Sequence, residues 1–183
     1  LVLIHGLDST RFTWEPFIAA SEGRWRCLAL DQRGHGQSPL GEEADYSIHS
    51  VVADVRAALL EQRVKRPVVL LGHSMGGKVA MAFAAAHPEL VAALIIEDMD
   101  LRVRTSKRDS SLQHRRAFDR RFESFEAAKQ SLSRWYDPAR IDGWKKDGRV
   151  FEQEDGSWWS GINPLAQHLA CLLYTSPSPR DRY

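Results

Sequence analysis

The segment Gly72-His73-Ser74-Met75-Gly76 constrains the fold of this chain more than any other feature of its sequence. It follows an apolar run at residues 67–71 and precedes a helix-like stretch at residues 78–87. A serine at such a turn adopts a strained backbone conformation, and a side chain at position 72 or 76 would collide with the neighbouring backbone. Glycine removes that collision. The segment therefore predicts a strand, a sharp turn that carries Ser74, and a helix, in that order.

The predicted turn has the layout of a nucleophile elbow. Ser74 would lie at a helix N-terminus, where unpaired backbone N–H groups and the positive end of the helix dipole favour a negative charge. The N–H of Met75 is the expected first donor to such an oxyanion. The alternative interpretation is a chance surface turn, and the strand and helix on either side argue against it.

A second part of the same candidate site opens the chain. Residues 1–4 are predicted to form a buried strand, and His5-Gly6-Leu7 follows where a loop must turn back over the strand end. In hydrolases built around this elbow, that loop supplies the second oxyanion donor, which here is the N–H of Leu7. We interpret His5 as structural rather than catalytic. The positions expected to support the elbow and the loop are His5, Gly6, Gly72, His73 and Gly76.

A third apolar run, residues 27–30, leads into Asp-Gln-Arg-Gly-His-Gly-Gln-Ser at residues 31–38. These three segments, in this order, resemble the α/β-hydrolase superfamily, and the resemblance covers about residues 1–170. The continuation of the elbow to Lys78 is similar to a subgroup of small carboxylesterases and thioesterases whose elbow reads Gly-His-Ser-Met-Gly-Gly-Lys. The resemblance implies that Asp31, Arg33 and His35 form an architectural, hydrogen-bonded turn.

The expected fold class is α/β, with a doubly wound, mostly parallel sheet, a helical cap and truncation at both ends. Asp45 or Ser47 can cap a helix whose apolar residues recur every three or four positions. Residues 94–96 are predicted to form another buried strand. Alternating strands and helices favour a parallel sheet that binds ligands at the carboxyl ends of its strands.

Four segments make up the expected domain organisation. Residues 1–98 form a partial α/β-hydrolase core, 99–162 a cap-like insertion, 163–170 the start of the return to the core, and 171–183 a non-native tail. That tail can be encoded by DNA that resembles a sequencing-library adapter, so it is interpreted as translated read-through; the alternative is a native Pro/Ser-rich tail. The chain also begins inside a predicted strand without Met, and the resemblance places two further strands before it.

The cap-like insertion begins with a basic segment. Residues 101–121 contain eight Lys or Arg and two Asp, which we interpret as a solvated helix face rather than a nucleic-acid site, because the net charge of the chain is only +1. A weaker hypothesis is that Arg102 or Arg104 attracts an anionic substrate. Residues 124–135 have the composition of a cap helix, and residues 150–159 are predicted to form a hairpin around Asp155-Gly156.

The resemblance implies a catalytic triad whose members this chain carries only in part. It places the base histidine in a loop beyond the last native residue, and no histidine of the chain lies in the matching context: His5, His35, His49, His73, His87, His114 and His168. In the subgroup an aspartate after the sixth strand serves as the acid, and Asp98 holds that place. Glu97 should point to the other strand face and Asp100 lies farther into the loop. A carboxylate after the seventh strand is the alternative acid.

The expected function is cleavage of a carboxylic ester or thioester through an acyl-enzyme on Ser74, with the fragment itself inactive because the base is missing. Alternatives are carbon–carbon bond hydrolysis, cofactor-free haloperoxidase activity, or a non-catalytic ligand-binding homologue. The sequence shows no metal-ligand spacing and no phosphate-binding loop, so no cofactor and no metal are expected. Expected partners are a small-molecule substrate, with no nucleic acid and no membrane span. A cytoplasmic location is expected, and Cys27, interpreted as a buried thiol on a strand, is compatible with it.

Overall fold

The computed structural model describes residues 1–41, 45–99 and 120–172. Within them a four-stranded parallel sheet has the order β2-β1-β3-β4. Its strands are β1 (Val2–Ile4), β2 (Leu28–Leu30), β3 (Val68–His73) and β4 (Val91–Glu97). This parallel sheet with flanking helices confirms the predicted α/β class.

The described ranges also contain helices and a second, antiparallel sheet in the order β5-β7-β6. The helices are α1 (Glu15–Ala20), α2 (Ile48–Glu61), α3 (Met75–Ala86), α4 (Phe125–Leu132), α5 (Pro138–Gly143) and α6 (Pro164–Leu172). The strands of the second sheet are β5 (Arg121–Phe122), β6 (Val150–Glu152) and β7 (Trp158–Ser160). Short 3-10 helices span Arg11–Trp14 and Pro88–Leu90.

Helix α2 is capped by Ser47, one of the two residues predicted to cap it. The Ser47 hydroxyl accepts a hydrogen bond from the N–H of Ser50, which satisfies a donor of the first turn. Asp45 supports this cap by accepting from the N–H of Ser47 at 2.7 Å. The apolar residues of the helix form the expected buried face: Val51, Val52, Val55 and Leu59.

The main core lies between the sheet and the helices α2, α3 and α6. Val2 and Ile4 of β1 point into it, whereas Leu3, on the opposite face, packs with Trp14 and Leu71. Successive residues of a strand point to opposite faces, so one short strand contributes to both layers. Residues Leu165, Ala166 and Ala170 of α6 belong to the main core.

Two predictions about burial were wrong. Strand β4 has the predicted place, but its central residues Leu94, Ile95 and Ile96 are exposed, with 48% of Ile95 accessible. The reason is that β4 is an edge strand of the described sheet and α3 covers it only in part. Cys27 is likewise only partly buried, because it lies beside β2 at the opposite edge.

The segment between β4 and α6 has its own small core. Ser124 caps α4 by accepting from the N–H of Ala127, and the predicted hairpin is present as β6 and β7. We call this part, residues 120–162, the cap. Its buried apolar cluster consists of Phe125, Ala128, Leu132, Tyr136, Ile141, Trp144, Val150 and Ile162.

The prediction that residues 101–121 form a solvated helix face is wrong at the end of this segment. Arg120 is buried because its side chain donates to the carbonyls of Gly36 and Ser160, and Arg121 lies on strand β5 of the antiparallel sheet. Other predicted features lie outside the described residues: Asp100, Arg102, Arg104, His114 and residues 173–183. His168 lies within α6, but its side chain is outside the description.

None of the helices in the described ranges is long and apolar enough to cross a bilayer.

Candidate active site

The carboxyl ends of β1, β3 and β4 meet at one edge of the sheet. Ile4 is in register with Gly72, and Gly72 is in register with Ile96. The loops that follow these strands therefore begin side by side. This is the edge at which parallel sheets of this kind bind ligands.

Ser74 occupies the turn between β3 and α3 in a strained conformation. Its φ of 50° and ψ of −117° lie in a region that residues other than glycine rarely adopt. Its N–H donates to the carbonyl of Glu97 at 2.9 Å, and its own carbonyl accepts from the N–H of Gly77 at 2.9 Å. The side chain is half-buried. The turn therefore holds a partly accessible hydroxyl at the start of a helix.

The collision predicted for a side chain at position 72 or 76 is present. A Cβ on Gly72 would lie 2.4 Å from the carbonyl oxygen of Gly76. A Cβ on Gly76 would lie 2.2 Å from the carbonyl oxygen of Ile4. Real Cβ atoms do not approach backbone oxygens so closely, so only glycine lets α3 begin this near to β1 and β3.

The loop after β1 passes directly over the serine. A Cβ on Gly6 would lie 2.8 Å from Nδ1 of His73 and 3.2 Å from Cβ of Ser74. The Gly6–Leu7 peptide is therefore adjacent to Ser74. On the other side, Met75 is the first residue of α3, and the N–H of a first helical residue has no acceptor within its own helix.

The hydrogen bonds of His5 stabilise this loop. It is fully buried, its Nδ1 donates to the carbonyl of Gly6 at 2.7 Å, and its Nε2 accepts from the N–H of Gln32 at 3.1 Å. Burial lowers its pKa from 6.5 to about 4, so the ring is neutral near pH 7. These contacts support the structural interpretation of His5.

The turn after β2 has the predicted hydrogen-bonded architecture. The carboxylate of Asp31 accepts from the backbone N–H groups of Arg11 and Gln37, at 2.7 and 3.1 Å. Arg33 forms a two-pronged ion pair with Asp54, at 2.6 and 2.7 Å. His35 is buried, and burial lowers its pKa to about 3.

Asp98 directly follows β4 and lies beside the elbow strand. It has a φ of 43°, and its side chain is 91% exposed. One carboxylate oxygen lies 3.9 Å from Nε2 of His73, which is too long for a hydrogen bond. The carboxylate is thus available at the sheet edge that carries Ser74.

The contacts of two residues were missed in the sequence, one beside the loop that covers Ser74 and one at the turn after β2. Tyr136 of the cap donates its hydroxyl hydrogen to Oδ1 of Asp8 at 3.2 Å, beside the loop that covers Ser74. Arg120 donates to the carbonyls of Gly36 and Ser160, at 2.6 and 2.8 Å. Neither set of contacts can be recognised from neighbouring residues in the sequence. Tyr136 and Asp8 are 128 residues apart, and Arg120 is 84 residues from Gly36 and 40 from Ser160.

A cleft of about 830 Å³ lies elsewhere, between β2 and α2, and is lined by Leu30, Leu40 and Val55. Ser74 is not among its lining residues, so the cleft is separate from the candidate site. Within the described ranges, no group of three or more His, Cys, Asp or Glu side chains is arranged to hold a metal ion.

Comparison with known proteins points to one family. The model of the alpha/beta hydrolase family matches residues 1–183. The 2-(acetamidomethylene)succinate hydrolase of Mesorhizobium japonicum is 27% identical over 171 residues, which cover 93% of this chain and 59% of that protein. The pimeloyl-(acyl-carrier protein) methyl ester esterase of Aeromonas hydrophila is 39% identical over 95 residues, which cover 52% of this chain and 35% of the esterase.

Solved structures show the same fold. A marine microorganism esterase matches with a TM-score of 0.71 at 26% identity, over 97% of this chain and 69% of the esterase. The chain thus spans between about a third and three fifths of the two curated relatives described above. The parallel sheet, the strained serine turn and the match along the whole sequence together show that this chain belongs to the alpha/beta hydrolase family.

Proposed function

We propose that this chain carries the nucleophile of a serine hydrolase that cleaves a carboxylic ester or thioester. The observation that carries the proposal is the position of Ser74, held at positive φ against Gly6. Backbone strain of this kind costs about 1–3 kcal/mol and persists where the surrounding structure enforces it, which is typical of functional sites.

The reaction proceeds in two halves. The Ser74 oxygen attacks the carbonyl carbon and gives its proton to a histidine base; the bond to the alkoxide or thiolate then breaks, and that leaving group takes the proton. Water hydrolyses the resulting acyl-serine and restores the hydroxyl. In both halves the N–H groups of Leu7 and Met75 hold the oxyanion, the role that Gly6 and the helix start make possible.

Asp98 is the proposed acid that orients the base. It is adjacent to the elbow strand at the correct sheet edge, and its exposed carboxylate is free to accept from an imidazole N–H. His5 and His35 are buried in other hydrogen bonds. Neither ring is therefore available to take the proton of Ser74.

Two of the three relatives described above are named for ester chemistry. The Aeromonas relative is a methyl ester esterase, and the marine relative is an esterase. For the present chain, an ester or thioester substrate fits a site that offers a serine and two backbone N–H donors without a cofactor. A cytoplasmic location and the absence of a nucleic-acid partner stay predictions.

A substrate panel on the full-length protein tests this proposal. The panel contains p-nitrophenyl esters, acyl thioesters, a carbon–carbon bond substrate of the β-diketone class, and halide with peroxide. We expect turnover of an ester or thioester, a burst of released alcohol or thiol, and an acyl group on the peptide that contains Ser74. Turnover confined to the other two substrate classes, or no turnover with reversible ligand binding, would overturn the proposal.

A further inference from the structure

The turn that follows Gly6 is held in an unfavourable conformation. Leu7 and Asp8 form this turn, and Asp8 has a φ of 54°. A left-handed conformation costs a residue with a Cβ about 1–2 kcal/mol, although aspartate and asparagine tolerate it better than other residues. Contacts around the turn must therefore stabilise it. The Gly6–Leu7 peptide, which lies next to Ser74, leads directly into this turn.

Tyr136 supplies such a contact from the cap. Its hydroxyl donates to Oδ1 of Asp8 at 3.2 Å. The tyrosine is itself well fixed, because it is buried and its ring packs edge-on against Trp144 with centroids 5.0 Å apart. The cap core thus presents an immobilised hydroxyl to the carboxylate of the turn.

Further contacts join the same two regions. The hydroxyl of Thr10 donates to the carbonyl of Asp147 at 3.2 Å. Gly148 has a φ of 66°, and a Cβ there would lie 2.3 Å from Cδ2 of Phe12. The segment after β1 is therefore in contact with the cap at residues 8, 10 and 12, and of these three Asp8 is nearest in sequence to Gly6.

We propose that Tyr136 is a positioning residue for the oxyanion site: its hydrogen bond to Asp8 holds the Leu7–Asp8 turn so that the Leu7 N–H faces the oxyanion. This inference rests on the proposed function, in which Leu7 is an oxyanion donor. Tyr136 acts through Asp8 and does not touch the substrate. The cap therefore contributes to the chemical step through its contact with Asp8.

The position of the hydrogen bond determines which kinetic constant responds. An oxyanion donor acts on the transition state, so a misplaced Leu7 N–H lowers kcat and leaves KM almost unchanged. Loss of a whole donor costs about 10²–10³ in kcat, and a displaced donor costs less. We expect Tyr136→Phe to lower kcat about tenfold.

The kinetic experiment compares two hydroxyl deletions in the cap of the full-length protein. Tyr136→Phe removes the bond to Asp8, and Ser133→Ala removes a bond to the carbonyl of Lys129, 2.7 Å long, within α4 and its C-terminal turn. We expect the kcat loss only in Tyr136→Phe, with KM retained. An unchanged kcat, or a raised KM at constant kcat, would overturn the inference even when Ser74 proves to be the nucleophile.

Variants of Asp8 separate positioning from general stability. Asp8→Asn keeps an acceptor and tolerates the left-handed conformation, so it should keep most of the activity. Asp8→Ala should lose at least as much kcat as Tyr136→Phe, because alanine also tolerates the left-handed conformation of residue 8 less well, and the double variant should be no slower than Asp8→Ala alone. Additive losses in the double variant would contradict a shared mechanism.

Hydrogen exchange tests the positioning without any activity. Exchange of the amides of Leu7 and Asp8 should be faster in Tyr136→Phe and unchanged in Ser133→Ala. Equal exchange in both variants would overturn the inference. A failure of the proposed function is distinguishable, because it appears in the wild-type protein as turnover that does not depend on Ser74.

Discussion

The N–H of Ser74 donates to the carbonyl of Glu97 at 2.9 Å and so joins the turn after β3 to the end of β4. Asp98 follows Glu97 directly. The proposed nucleophile is therefore the donor of this backbone hydrogen bond, and the proposed acid is the residue directly after its acceptor. Their separation depends on the register of two parallel strands rather than on flexible side chains.

Asp98→Asn should lower kcat about 10⁴-fold in the full-length enzyme while the fold is kept, because an amide leaves the triad histidine in the wrong tautomer. Steady-state kinetics and the melting temperature measure the two effects. Glu97→Gln is the matched control: Glu97 contacts Ser74 through its carbonyl, which the substitution keeps, so kcat should be almost unchanged.

A loss of less than about tenfold in Asp98→Asn would contradict this role. Discovery that an aspartate after a later strand is essential would return Asp98 to a structural position at the end of β4.

Gly72→Ala should reduce the free energy of unfolding by about 2 kcal/mol or more, because the new Cβ would lie 2.4 Å from the carbonyl oxygen of Gly76. Urea denaturation measures this loss. The control is Gly143→Ala at the end of α5, where a Cβ has no heavy atom within 4 Å. It should change stability by less than about 1 kcal/mol. Equal effects at the two glycines would refute the steric argument.

The strand-turn-helix around Ser74 could be predicted from the sequence because its requirements are local. Glycines at positions 72 and 76 indicate that the backbone of the turn lies very close to neighbouring backbone, and the structure confirms this close contact. The cap of α2 at Ser47 and the hairpin around Asp155-Gly156 are also local patterns, and both were confirmed. The roles proposed for Ser74 and Asp98 stay predictions.

Burial at the sheet edges could not be predicted in the same way. An apolar run such as Leu94–Ile96 indicates a strand, but the neighbours of that strand decide which faces are covered. Arg120 shows the opposite case. It lies at the end of a basic segment, yet it is buried by carbonyl partners distant in sequence. Such pairings depend on the whole chain, so Tyr136 and Asp8 were missed for the same reason.

Arg120→Met should lower the free energy of unfolding by about 2–4 kcal/mol, because the carbonyls of Gly36, Ser38 and Ser160 would lose a buried charged donor. Urea denaturation at neutral pH measures this change. The adjacent Arg121 provides a control, since its ion pair with Asp155 is exposed and screened by solvent. Equal destabilisation by Arg121→Met and Arg120→Met would show that burial of the Arg120 hydrogen bonds does not make them more stabilising than an exposed ion pair.

Acidification should destabilise the protein through its two buried histidines, His5 and His35, whose rings lie 5.3 Å apart. Burial lowers their pKa values from 6.5 to about 4 and about 3. Between these pKa values and 6.5 the unfolded state binds more protons than the folded state. The contribution of the two neutral histidines to the free energy of unfolding is therefore complete above pH 6.5 and falls as the pH drops toward 4. Each histidine contributes a slope of roughly 1.4 kcal/mol per pH unit in that window.

Comparison of variants isolates this contribution from that of the carboxylates. His35→Gln should have a shallower dependence of unfolding free energy on pH than the wild-type protein. His49→Gln, on the exposed face of α2, should keep the wild-type slope. Identical slopes in all three proteins would show that burial of His35 does not control acid stability.

Covalent labelling tests whether Ser74 is an activated nucleophile. The full-length protein should react with a fluorophosphonate probe at Ser74, because the serine attacks the phosphorus while the Leu7 and Met75 N–H groups hold the phosphoryl oxygen. Ser74→Ala should abolish both labelling and turnover, whereas Ser133→Ala should keep the labelling. Persistent labelling of Ser74→Ala, with the probe on another residue, would contradict the account.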